Sequence, residues 1–212
     1  MARQITDMSQ KLVLASGSAV RASLLRGAGL AFEITVSGVD EAAIKAAYQE
    51  HKPDSGAYDG LALALAEAKA QQAVVANVDA AALVIGADQL LVLDDKVFDK
   101  PRDRAEAKHN LMLFQGRSHC LVGGVVLVQG GQTIWQHCET VTLKMRALSE
   151  AFIDAYLDAA GDQVLKSVGA YQLEGLGAHL FEAIEGDYFS ILGLPLLPLM
   201  AALRVHGGLH HV

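Results

Sequence analysis

Ser16, Gly17, Ser18 and Arg21 follow directly on the apolar run 11–15 and precede Ala22, Leu24, Leu25 and Ala28 at helical spacing. A strand-to-helix turn of this kind offers unpaired backbone N–H groups and the positive end of a helix dipole. Two hydroxyls and a guanidinium complete a phosphate cradle there. The same residues also describe an ordinary serine N-cap beside a surface arginine, and on this segment alone the cap is the commoner case. A second group is acidic: Asp40 and Glu41 after the alternating run 32–36, and Asp88 at the end of the most apolar strand-like run, 82–88. An acid closing a buried strand loses hydration unless it faces a metal, a cation or water, which makes Asp88 the least ordinary acid in the chain. Asp40 and Glu41 are equally readable as helix-capping acids. If the three converge, they can hold a divalent cation and activate a water.

Two lysines complete the set. Lys69 interrupts an otherwise apolar helical face (Leu61, Leu65, Ala68), and Lys100 sits in a turn just beyond the hairpin that Asp88 begins. Surface lysines are usually solvated. Two lysines, an arginine and several acids around one cleft would suit a polyphosphate bridged by a metal.

Competing chemistries lack their residues. Cys120 and Cys138 form no CxxC pair and read as reduced core thiols. The eight histidines make no HExxH and no deaminase signature, and neither a GxGxxG, a GxxxxGK[ST] nor a GxSxG motif occurs. With 24 acidic against 17 basic side chains and a net charge of −7, the chain is no general binder of nucleic acid, whose phosphates are held by Lys and Arg. The first ten residues lack an apolar signal-peptide core and no stretch approaches ~20 apolar residues, so a cytoplasmic protein without membrane association is expected.

The elements that position these residues alternate in type. Strands are expected over 11–15 and 32–36, helices over 42–48 and 61–78, and a loop over 51–59 around Pro53, Ser55 and Gly56. A strand over 82–88 is followed by a hairpin segment, 90–93, turning at Asp94-Asp95. Next come a helix over 104–114 and a strand pair, 119–129 and 133–145, around Gly130-Gly131. Ser149 caps a helix over 150–157, and after looser segments at 170–173 and 180–184 a last helix follows Pro195 or Pro198. The pattern predicts an α/β fold with a mixed sheet and flanking helices. A flexible segment over 1–10 and one domain over 11–212 are expected.

Five segments, in order, resemble the Maf family of nucleoside triphosphate pyrophosphatases: LVLASGSAVRASLL (12–25), VDE (39–41), LALAEAKA (63–70), VIGADQLLVLDDKVFDKPRDRAEAKHNL (84–111) and VGAYQLEGLGAHLFEAIEGDYFSILGLPLLPL (168–199). The resemblance implies an elongated α/β fold (Maf/ITPase-like) with two lobes around a deep cleft, a homodimer and a divalent cation, Mg2+ or Mn2+. The reaction it implies is hydrolysis of a nucleoside triphosphate to the monophosphate and pyrophosphate, a house-cleaning of the nucleotide pool. It implies catalytic roles for Asp88, Lys69 and Lys100, substrate contacts from Ser16, Ser18, Arg21, Gln89 and Glu174, and metal ligation by Glu41 and Asp88.

Specificity follows from two departures. Members acting on dTTP and UTP have Thr after the catalytic Asp and Gln in the tail YxxQG, where this chain has Gln89 and Glu174. The Gln and Glu pairing resembles members that act on 7-methyl-GTP, although Ala19-Val20 stands where those favour an aromatic and Ala170-Tyr171 matches the dTTP/UTP group. A carboxylate suits the N1–H and 2-amino edge of guanine, so a guanine-type or 7-methyl-GTP substrate is expected. The alternatives are a dTTP/UTP pyrophosphatase, or a non-enzymatic regulator of septum formation.

Overall fold

A computed structural model describes residues 6–36, 38–50, 58–76, 79–207 and 209–211. The chain divides into two compact units: one comprises residues 1–89, 123–139 and 193–212, the other 90–122 and 140–192. The strands include a seven-stranded sheet. Its order is β3 (Glu33–Ile34), β2 (Leu12–Ala15), β4 (Leu83–Leu93), β6 (Ser118–Gln129), β7 (Gln132–Met145) and β8 (Phe181–Glu185), with β5 (Lys96–Phe98) paired to β4. β2 lies parallel to β3 and β4, whereas β4/β5 and β7/β8 are antiparallel, so the sheet is mixed as expected. Of the segment expected to be flexible, β1 (Thr6–Met8) is a strand paired antiparallel with β9 (Leu209–His211). The expected loop over 51–59 falls mostly on 51–57, outside the described residues.

In the first unit, α1 (Ala19–Gly27), α2 (Glu41–Glu50), α3 (Asp59–Val75) and α7 (Leu196–His206) accompany the strands. Helix α3 decides the packing. Its small residues Ala62, Ala66, Ala70 and Ala73 recur every three or four positions and are fully buried, and the last three meet Val13, Val84, Val126 and Val128 in one cluster. The strands answer with glycines. A Cβ at Gly86 would collide with the Ala66 carbonyl oxygen and lie 2.9 Å from the Ala70 Cβ, and one at Gly124 would lie 2.6 Å from the Ala62 carbonyl. Backbone thus meets backbone between helix and sheet. Gly86→Ala is expected to push α3 outward and lower stability by about 1–3 kcal/mol, because neither partner is a side chain that can swing away. Denaturant unfolding checks this; an unchanged midpoint with unchanged m would show that the contact yields.

Strand β4 differs from expectation in length. The break anticipated after Asp88 is absent, and one 11-residue strand carries the carboxylate in its middle. Pairing supplies the reason. The first part of β4 is held by β2, with Ala15 opposite Gly86, and the last part by β5, with Leu91 opposite Phe98. Asp88 therefore lies two residues past the last rung with β2, at the C-terminal edge of the parallel portion, where α/β sheets place ligands.

The second unit holds α4 (Arg104–Phe114), α5 (Glu150–Ala160), two 3-10 stretches (Gly161–Lys166 and Leu176–Leu180) and the short α6 (Tyr188–Ile191). Asp103 and Ser149 cap α4 and α5, accepting from the N–H of Glu106 at 2.8 Å and of Phe152 at 3.2 Å. Its core gathers Leu91, Leu111, Phe114, Val141, Leu143, Tyr156, Tyr171 and Leu180. His119 lies inside it, between Phe114 and Tyr171, and burial pushes its imidazole down to about 4. Both cysteines are free thiols, as expected, but at half-buried strand positions rather than in the core.

Candidate active site

Gly86 and Asp88 are two apart on β4 and so share a sheet face, the face that α3 covers. Lys69 stands one residue before Ala70, and its Nζ reaches Asp88 Oδ1 at 2.5 Å and Glu41 Oε1 at 2.8 Å. The Lys69 and Asp88 side chains are only 14% and 10% exposed, so their attraction is little screened, whereas Glu41 is 42% exposed at the first residue of α2. The acidic pair at 40–41 divides its labour. Asp40 caps α2 by accepting from Ala43 N–H at 3.0 Å, and Glu41 turns to Lys69, with Lys45 at 3.9 Å. The expectation that Asp40 is a capping acid holds, and Glu41 is more than one.

The turn before α1 is organised by its own side chains. Ser16 Oγ accepts from Ser18 N–H at 3.3 Å and from Arg21 Nη1 at 3.2 Å, while Ser18 Oγ caps α1 by accepting from Arg21 N–H at 3.3 Å. Both hydroxyls are used as acceptors, which leaves their protons to donate to an anion. Arg21 is buried rather than a surface residue. It donates through Nε to the Gly193 carbonyl at 2.7 Å and through Nη1 to the Ala87 carbonyl at 2.8 Å, the peptide just before Asp88. Burial lowers the basicity of the guanidinium, and the charges of Asp88 and Glu41 oppose that shift. Arg21 thereby ties α1 to β4. Sequence reasoning missed the acceptor: Gly193 has φ +95, and a Cβ there would sit 3.4 Å from Arg21 Nε. Its only signal was a glycine two residues before Pro195.

Seven of the nine residues singled out therefore belong to the first unit: Ser16, Ser18, Arg21, Glu41, Lys69, Asp88, and Gln89 next to Asp88 on β4. Lys100 and Glu174 belong to the second unit. Both are exposed, Lys100 just after β5 and Glu174 in the turn that leads into the 3-10 stretch Leu176–Leu180.

Around Asp88 two anions (Glu41, Asp88) stand against Arg21 and Lys69, with Lys45 3.9 Å from Glu41. A triphosphate entering this set brings more negative charge than these cations leave unpaired. Among the described residues no three His, Cys, Asp or Glu side chains converge as a metal cage. Mg2+-like ions are held by one or two carboxylates together with substrate phosphates and water, and Glu41 and Asp88, drawn together by Lys69, are carboxylates of that kind. The residues present therefore fit a divalent cation.

With this geometry in hand, comparison with known proteins is direct. A Maf-like protein family model matches residues 11–206. A 7-methyl-GTP pyrophosphatase of Rhizobium meliloti is 48% identical over 95% of this chain and 99% of its own length. A nucleoside triphosphate pyrophosphatase of Maricaulis maris is 47% identical over 93% and 97%, and a 7-methyl-GTP pyrophosphatase of Brucella suis 48% identical over 93% and 96%. No described helix is long and apolar enough to cross a membrane. A match that spans both units, together with the turn, acid and lysine positions that the bonds around Asp88 connect, makes this chain a member of the Maf family.

Proposed function

We propose that this chain hydrolyses nucleoside triphosphates to the monophosphate and pyrophosphate, with a guanine-type base, 7-methylguanine above all, as its preferred class. The Glu41–Lys69–Asp88 constellation carries the reading: a shielded carboxylate held against an ammonium, at the edge where the parallel strands end. Asp88 accepts the proton of the attacking water. Lys69 orients the carboxylate, and Lys100, by the family resemblance, adds charge against the phosphates. The Ser16 and Ser18 hydroxyls donate to phosphate oxygens, and Arg21 holds their turn in register with β4. Glu41 and Asp88 would hold a divalent cation, Mg2+ or Mn2+, which supplies charge neutralisation of the triphosphate. The family resemblance gives Gln89 and Glu174 the selection of the base, and the relatives named for 7-methyl-GTP support the substrate class. A homodimer and a cytoplasmic setting complete the reading and rest on the family resemblance and the sequence.

The test is a panel of canonical and methylated nucleoside triphosphates with Mg2+ or Mn2+, assayed separately for pyrophosphate and orthophosphate. Pyrophosphate and a nucleoside monophosphate are expected in equal amounts, fastest with guanine-type substrates. Orthophosphate as the sole inorganic product would instead mean stepwise removal of the terminal phosphate.

A further inference from the structure

The turn that carries Glu174 is built more tightly than an exposed loop needs to be. Ala170 is fully buried at φ +56, a left-handed conformation unfavourable for a residue with a Cβ, and its carbonyl accepts from Tyr156 Oη at 3.1 Å. The Gln172 carbonyl accepts from both Gly175 and Gly177 N–H at 3.1 Å. A Cβ at Gly177 would lie 2.8 Å from the Gln172 carbonyl carbon, and one at Gly169 would enter the Tyr171 ring. Tyr171 itself points inward, edge-to-face on Phe181 at 4.8 Å, and its hydroxyl meets His119 Nε2 on β6 at 2.7 Å in full burial. His119 Nδ1 has no protein partner among the described residues, so this one bond is what the buried imidazole offers.

We propose that His119 and Tyr171 are positioning residues for base selection: their buried hydrogen bond anchors the 169–177 turn to β6 and fixes where Glu174 presents its carboxylate. This rests on the reading of Glu174 as the base contact. A carboxylate discriminates between base edges only if it is held near one geometry, and an exposed glutamate gains that from the rigidity of the turn beneath it. Burial keeps the phenol protonated and the imidazole neutral, so the bond persists unchanged at ordinary working pH.

The experiment measures kcat and KM for 7-methyl-GTP and dTTP in Tyr171→Phe, His119→Leu, His119→Gln and Glu174→Gln, and in Glu174→Gln combined with Tyr171→Phe. The ratio of the two kcat/KM values is independent of the folded fraction, so partial misfolding of a variant leaves it readable. Tyr171→Phe and His119→Leu are expected to lower this ratio about 10-fold, through KM for 7-methyl-GTP with kcat within about two-fold. His119→Gln, whose amide can reach the hydroxyl, restores most of the ratio, and Tyr171→Phe adds nothing in the Glu174→Gln background. Equal losses on both substrates would reduce the bond to a structural role and overturn the proposal. An unchanged ratio in Tyr171→Phe and His119→Leu, while Glu174→Gln shifts it, overturns the positioning role and leaves the base contact standing. No shift in Glu174→Gln removes the base contact itself, and the proposal with it.

Discussion

Asp88→Asn is expected to lower kcat by about 10²- to 10⁴-fold, or roughly 3 to 5 kcal/mol of barrier, while the protein keeps its fold. The loss follows from replacing the proton acceptor by an amide of the same shape. The survival of the fold follows from the bonds around it. Breaking a buried ion pair is usually costly because one charge is stranded. Here Lys69 retains Glu41 at 2.8 Å, and Arg21 bonds the Ala87 carbonyl rather than the Asp88 carboxylate. Circular dichroism and the thermal midpoint should stay near wild type while pyrophosphate release collapses. A folded variant with more than about a tenth of wild-type turnover would contradict the role given to Asp88.

Glu174→Gln together with Gln89→Thr is expected to shift preference from guanine-type substrates toward dTTP and UTP by about 10- to 100-fold in the ratio of kcat/KM values. The physical source is the base edge: a carboxylate repels the carbonyl oxygens of uracil and thymine and accepts from the N1–H and amino group of guanine, a difference on the order of 1 to 3 kcal/mol. Gln172 lies within the same turn but uses its backbone carbonyl on Gly175 and Gly177, so the side chain at 174 can change without unmaking the turn. The idea is lost if the wild type prefers dTTP or UTP, or if the double variant leaves the ratio where it was.

Local features were legible in the residues themselves. Helix α4 begins and ends where the pattern places it, because Asp103 caps it and the apolar spacing is regular. The Gly130-Gly131 turn between β6 and β7 and the Ser149 cap of α5 are equally local, since a positive φ or a serine acceptor acts within a few residues. Other boundaries moved when a neighbour supplied or withheld hydrogen bonds. The strand expected over 32–36 shortens to Glu33–Ile34, where β2 pairs with it, and the break after Asp88 vanishes because β5 continues the ladder.

The sequence by itself determined the residue types, their order along the chain and the α/β alternation, and hence that Asp88, Lys69, Glu41 and the Ser/Arg turn were the residues to watch. Tertiary structure decided what each of them touches. Glu41 and Lys69 are 28 positions apart in sequence, and Lys69 and Asp88 a further 19. No local rule assigns one ammonium to both carboxylates; the close approach of α3 to Gly86 does, by bringing the helix within reach of the strand face that carries Asp88. Arg21 likewise reads as an exposed phosphate ligand until the carbonyls of Ala87 and Gly193 are seen to take its Nε and Nη1. Periodicity reports which face of an element is buried, whereas a hydrogen bond between distant elements depends on distances that only the packed backbone sets.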